Sequence, residues 1–100
     1  MSGDPVNVEV DDDPARHRFE ARVDGRLAAF ASYERTDGGI TFLHTETLPA
    51  FEGRGVGSRL AHAALDDARR RGLRVTPRCP FFAQYIEHHP DYADLVDRSG

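Results

Sequence analysis

The chain has 100 residues, 39% of them hydrophobic and 30% charged, enough for one folded domain and no second core. It is too apolar to stay disordered, and it contains no run of about 18 apolar residues that could span a bilayer. Its net charge of −4 excludes the concentrated basic surface that nucleic-acid backbones require.

All 13 basic residues are arginine, a bias from which no mechanism follows. Met1-Ser2-Gly3-Asp4-Pro5 has neither the basic flank nor the apolar stretch of a secretory signal. The single cysteine, Cys79, has no disulfide partner and no Cys/His zinc spacing around it. The expectation is one cytoplasmic domain over residues 1–100, without a metal, a membrane contact or a nucleic-acid partner.

The first half reads as strands joined by tight turns. Val6 to Val10 suits an edge strand, closed by Asp11-Asp12-Asp13 before Pro14, which reads as a solvated turn. Phe19, Ala21 and Val23 alternate with Arg18, Glu20 and Arg22 at the period of a half-buried strand. Asp24-Gly25 suits a two-residue hairpin, Leu27 to Glu34 is the return strand, and Asp37-Gly38-Gly39 turns into a third strand, Ile40 to Glu46. An antiparallel meander results.

After Pro49 the period changes. Val56, Leu60, Ala64 and Ala68, flanked by Ala61 and Leu65, form an apolar stripe that predicts an amphipathic helix from about Gly55 to Arg71. Gly72 suits the left-handed position that ends it, and Arg69, Arg70 and Arg71 sit where positive charge favours the helix dipole. Leu73 to Thr76 is a short strand, and a second helix covers Phe81 to His88 until Pro90 stops it. His88 and His89 are adjacent, so on a helix they point about 100° apart and do not share one metal ion.

Glu52-Gly53-Arg54-Gly55-Val56-Gly57 joins the third strand to the first helix. A helix start leaves backbone N–H groups unpaired and carries the positive end of the dipole, which suits a diphosphate. Glycines let phosphate oxygens approach the backbone, Ser58 adds a hydroxyl, and Arg54 adds a charge-assisted donor. The alternative is a turn that binds nothing. A nucleoside-triphosphate loop would end Gly-Lys-Ser/Thr, and a dinucleotide fold would open the chain and continue in βαβ units. Coenzyme A (CoA) is the remaining diphosphate.

The stretch from Thr47 to Leu60, with its proline before the glycines, resembles the acetyl-CoA loop of the GNAT acetyltransferase superfamily, Gln/Arg-x-x-Gly-x-Gly/Ala. Glu52 stands where that motif has Gln or Arg. His44-Thr45-Glu46, Cys79-Pro80-Phe81 and His89-Pro90-Asp91-Tyr92 are similar, in order, to segments of a subgroup of minimal GNAT-like proteins of roughly 100 residues. The resemblance implies an α/β (α+β) fold: an antiparallel meander, a CoA-loop helix, a splayed parallel strand and a C-terminal helix.

It also implies roles. Thr45, Glu46 and Thr47 would supply backbone contacts to the acetyl and pantetheine arm, and the loop from Glu52 through Gly53, Arg54, Gly55, Val56 and Gly57 to Ser58 would take the pyrophosphate. Glu46 or His44 would accept the proton of an attacking amine, and Tyr85 resembles the tyrosine that serves the CoA sulfur as general acid. Cys79, between a strand and a helix start, is a candidate for an acyl-Cys79 intermediate in place of direct attack. Each of His44, Tyr85 and Cys79 also fits a purely structural place.

The implied function is acetyl transfer from acetyl-CoA to an amine or protein acceptor that the sequence does not name. The alternatives are a non-catalytic CoA- or acyl-CoA-binding or protein-interaction module and a structural domain. The chain has no room for the extra helices and final strands that wall the acceptor pocket in larger members. The acceptor site is therefore open, or a homodimer or another protein completes it.

Overall fold

The computed structural model describes residues 7–97. Strand β1 (Val8–Asp13) leads through a 3-10 turn at Pro14–Arg16 into β2 (Arg18–Val23), β3 (Arg26–Thr36) and β4 (Gly39–Thr47). A second 3-10 turn, Pro49–Phe51, precedes helix α1 (Val56–Arg71). Strand β5 (Arg74–Pro77), helix α2 (Pro80–His88) and a 3-10 segment at Pro90–Leu95 complete the chain. The sheet order is β1-β2-β3-β4-β5, antiparallel except for the parallel pair of β4 with β5.

The helical stripe buries as its spacing requires. Val56, Leu60, Ala61, Ala64, Leu65 and Ala68 are all buried on α1, and Gly72 ends the helix at φ 69°, its N–H reaching Ala68 and Arg69 carbonyls. Both helices cover one face of the sheet. Phe42 of β4 stacks on Phe82 of α2, with centroids 4.1 Å apart, and Phe19 and Tyr33 complete an aromatic cluster on the same face. Tyr33 is held with its phenol well above the usual range, first by burial and then by its hydrogen bond to Asp12.

That bond corrects one sequence expectation. Asp11, Asp12 and Asp13 are the last residues of β1, paired with Glu20, Phe19 and Arg18 rather than forming a turn. Two of the carboxylates are engaged: Asp12 accepts from Tyr33 and faces Arg71, while Asp13 accepts from Arg16 N at the 3-10 turn. Val6, the expected start of this strand, lies outside the described residues.

Two irregularities shape the sheet. Ala28 is an extra residue of β3 between the pairs Ala21↔Ala29 and Arg22↔Leu27. Leu43 is an extra residue of β4 between Tyr33↔Phe42 and Ser32↔His44. A bulge of this kind inverts the alternation beyond it. Ile40 and Phe42 therefore face the helices together with Thr45 and Thr47, whereas His44 and Glu46 face away.

Candidate functional site

The pairing of β4 with β5 ends at Phe42↔Pro77, so β4 continues from Leu43 to Thr47 without β5 beside it. Pro77 has no N–H to extend the ladder. At the point of divergence Cys79 N donates to Phe42 O at 2.9 Å, and Cys79 then serves as the residue before α2. Its side chain is 2% exposed, with Sγ 3.2 Å from Thr45 Oγ1. The gap between the strands thus begins at Cys79 and opens along Thr45 and Thr47.

The glycine loop closes the wide end of this gap. Gly53 and Gly55 hold φ of 81° and 76°, and a Cβ on either would meet nothing within 4 Å, so backbone conformation selects glycine there. Gly57 is selected by contact: a Cβ would lie 3.0 Å from Phe81 Cζ and 3.5 Å from Thr47 Oγ1. The first backbone bond of α1 is donated by Arg59 N to Gly55 O at 3.1 Å, leaving the N–H groups of Val56, Gly57 and Ser58 without an intrahelical acceptor. No side chain caps this end and no acidic residue stands in its first turn.

These elements enclose a hollow of about 210 Å³ lined by Thr47, Phe51, Gly53, Gly57, Ser58 and Phe81, with Glu52, Gly55 and Val56 on the same wall. Arg54 is exposed beside it. A second hollow of about 150 Å³ shares Ser58 and Phe81 with the first and continues past Gln84, Tyr85, His88 and His89. Phe81 is an exposed aromatic, 37% accessible, common to both. From the sequence it has a place only in the Cys79-Pro80-Phe81 segment and at the start of the second helix, with no part in the site, although its i, i+4 spacing from Tyr85 places the two on one helix face.

Tyr85 is half-buried, and burial, followed by the charge of Asp66, raises its phenol above the usual range. His44 and Glu46 lie on the opposite, open face of the sheet, Nε2 and Oε1 3.4 Å apart, with Phe30 beside His44. The candidate residues thus divide into two groups separated by β4: Thr45, Thr47, Cys79, Tyr85 and the loop on the helix side, His44 and Glu46 on the other.

A sequence profile of GCN5-related N-acetyl-transferases matches residues 18–95. The chain belongs to this family. The chain is similar to the mouse (Mus musculus) protein NATD1, at 34% identity over 90 residues that cover 88% of this chain and 80% of the relative. The solution structure of a GCN5-like protein from Staphylococcus aureus superposes with a TM-score of 0.69 at 24% identity, covering 100% of this chain and 94% of that one. A ribosomal-protein-alanine N-acetyltransferase from Brucella melitensis biovar Abortus 2308 superposes with a TM-score of 0.58 at 18% identity, over 83% of this chain and 62% of the other.

The fold expected from the sequence, a small α+β member of the GNAT superfamily, is the fold observed. That fold supports acyl-CoA-dependent acetyl transfer in general. Among the described residues, no helix is long and apolar enough to cross a membrane.

Proposed function

We propose that this GNAT-family chain binds acetyl-CoA in the gap between β4 and β5 and transfers the acetyl group to an amine. The observation that carries this reading is the position of the α1 N-terminus. The amides of Val56, Gly57 and Ser58 open into a hollow directly beside the stretch of β4 that β5 has left.

The residues fit the cofactor. A diphosphate needs convergent N–H donors, a positive dipole end and space without side chains, and the loop offers all three. The amides from Arg54 to Ser58, with the Arg54 guanidinium and the Ser58 hydroxyl, bind the pyrophosphate, while Glu52 and Gly53 border it. Thr45, Glu46 and Thr47, paired with β3 on one side, offer the edge of β4 that β5 has left to the pantetheine arm, in the manner of an added strand. Acetyl-CoA, when bound, supplies the activated acyl group.

The bulge at Leu43 supports a division of labour across β4. Cofactor residues face the helices, and the amine approaches from the open face, where the Glu46 carboxylate or the His44 imidazole takes its proton. Tyr85 keeps its phenolic proton because its site is partly desolvated, which suits a general acid on the helix side. Direct attack is the favoured route, since Cys79 is buried and engaged with Thr45.

Calorimetry with acetyl-CoA, on the wild type and a Gly57→Glu variant, tests the reading. Binding lost in the variant, followed by turnover of an amine, is expected. Binding without turnover across primary amines would make the chain an acyl-CoA-binding module, and no binding at millimolar ligand would overturn the site itself.

A further inference from the structure

His89 follows α2 and was set aside in the sequence as one half of an unsuitable metal pair. In the structure its ring stacks on that of Tyr85, centroids 3.9 Å apart and planes 14° from parallel. Its Nδ1 lies 2.8 Å from the Tyr85 carbonyl oxygen. A carbonyl only accepts, so this bond requires the proton on Nδ1 and leaves Nε2 as the free nitrogen of the neutral ring. The backbone holds the imidazole in place: His89 N donates to Ile86 O at 3.1 Å, and Tyr92 N donates to His89 O at 3.0 Å.

Tyr92 is a second neighbour of Tyr85, ring centroids 6.2 Å apart, and its hydroxyl is 2.8 Å from both His62 Nδ1 and Asp66 Oδ1. Tyr85 is thus contacted on one face by His89 and neighboured by a residue itself tied to α1. A phenol on a helix otherwise has rotamers open to it that would turn it out of the hollow. A ring stacked at 3.9 Å with its own anchor to the same residue's backbone removes them.

We propose that His89 is the positioning residue of Tyr85, holding its ring in the hollow beside Ser58 and Phe81. The inference rests on the acetyl-transfer reading for its catalytic meaning, and the geometry of the pair is testable without it. In this role His89 acts through Tyr85 and not on a reacting atom.

A double-mutant cycle reads this directly. Tyr85→Phe is expected to lower kcat about 100-fold, as loss of a general acid does. His89→Ala is expected to lower kcat about tenfold with the KM for acetyl-CoA unchanged, and His89→Phe, which keeps the stack, to lower it less. In the Tyr85→Phe background His89→Ala should have no further effect. An equal loss in both backgrounds would overturn the proposal.

The aromatic NMR signals of Tyr85, shifted upfield by the stacked imidazole in the wild type and not in His89→Ala, provide the second readout. If no amine is turned over, the acetyl-transfer reading has failed, and these shifts alone decide whether His89 orients Tyr85. Unchanged Tyr85 signals in His89→Ala would refute it.

Discussion

Phe42 and His44 stand two residues apart on one strand yet lie on opposite faces of the sheet, because Leu43 is an extra residue with no partner on β3. Phe42 is fully buried against Phe82, and His44 is exposed beside Phe30. Deleting Leu43 would make Tyr33↔Phe42 and Ser32↔His44 successive pairs, so that plain alternation keeps Thr45 and Thr47 on the Phe42 face. We expect the deletion variant to keep acetyl-CoA binding in calorimetry, because both flanks of the strand keep their present partners on β3. Leu43→Ala, at a site 40% exposed, should bind normally and change unfolding free energy by no more than about 0.5 kcal/mol. Loss of binding by the deletion variant would show that the local bend of the bulge sets the site, and not the facing of Thr45 and Thr47 alone.

The same inversion puts the proposed proton acceptors, Glu46 and His44, on the face away from the glycine loop. Glu46→Gln removes a carboxylate on the open face, and if Glu46 takes the amine proton, kcat should fall about 100-fold or more. The Kd for acetyl-CoA should be unchanged, because the side chain faces away from the loop. His44→Ala, measured in parallel, identifies which of the two side chains acts. Steady-state kinetics with kcat unaltered in both variants would remove the base from this face.

These residues also mark what a sequence can disclose. Helix α1 was legible from end to end, since Val56, Leu60, Ala64 and Ala68 repeat at the helical period and Gly72 supplies its left-handed stop. The turn before α1 was legible as well, because backbone freedom at Gly53 and Gly55 is a property of the residue itself. The bulge at Leu43 was not, since it is a relation between β3 and β4 and nothing in Phe42-Leu43-His44 departs from strand composition. The acidic end of β1 was misread for a similar reason. A run of aspartates looks solvated until Tyr33, 21 positions away, is seen to donate to Asp12. His89 gains its significance only from the Tyr85 ring it stacks against, and Phe81 from the two hollows it lines.

Phe42 and Phe82 bind the sheet to α2 at the point where β4 and β5 part. Both are fully buried, with rings 14° from parallel. Phe82→Ala should cost about 3–5 kcal/mol by chemical denaturation, the transfer loss plus the cavity left behind. Much of the stability of a small domain is of that order, so the variant should be largely unfolded at 37 °C. A loss below about 1 kcal/mol would mean that this contact does not organise the core.

Tyr92 makes a prediction for alkaline pH. Its phenol is held well above the usual range of about 10, first by burial and then by its hydrogen bond to Asp66. Below pH 10 the folded and unfolded states both keep this proton, and the stabilisation is fully present. Above pH 10 the unfolded state releases the proton while the folded state retains it, so stability falls as pH rises through that window. One such proton changes the slope by up to about 1.4 kcal/mol per pH unit. Tyr92→Phe should therefore show a shallower decline between pH 10 and 11.5 in urea denaturation, with Tyr33 and Tyr85, whose phenols are also raised, contributing to the remaining slope. At pH 7 the same variant should be less stable than wild type by about 1 kcal/mol, the worth of its lost hydrogen bonds. A decline identical in wild type and variant would show that Tyr92 gives up its proton as readily in the fold as in the open chain.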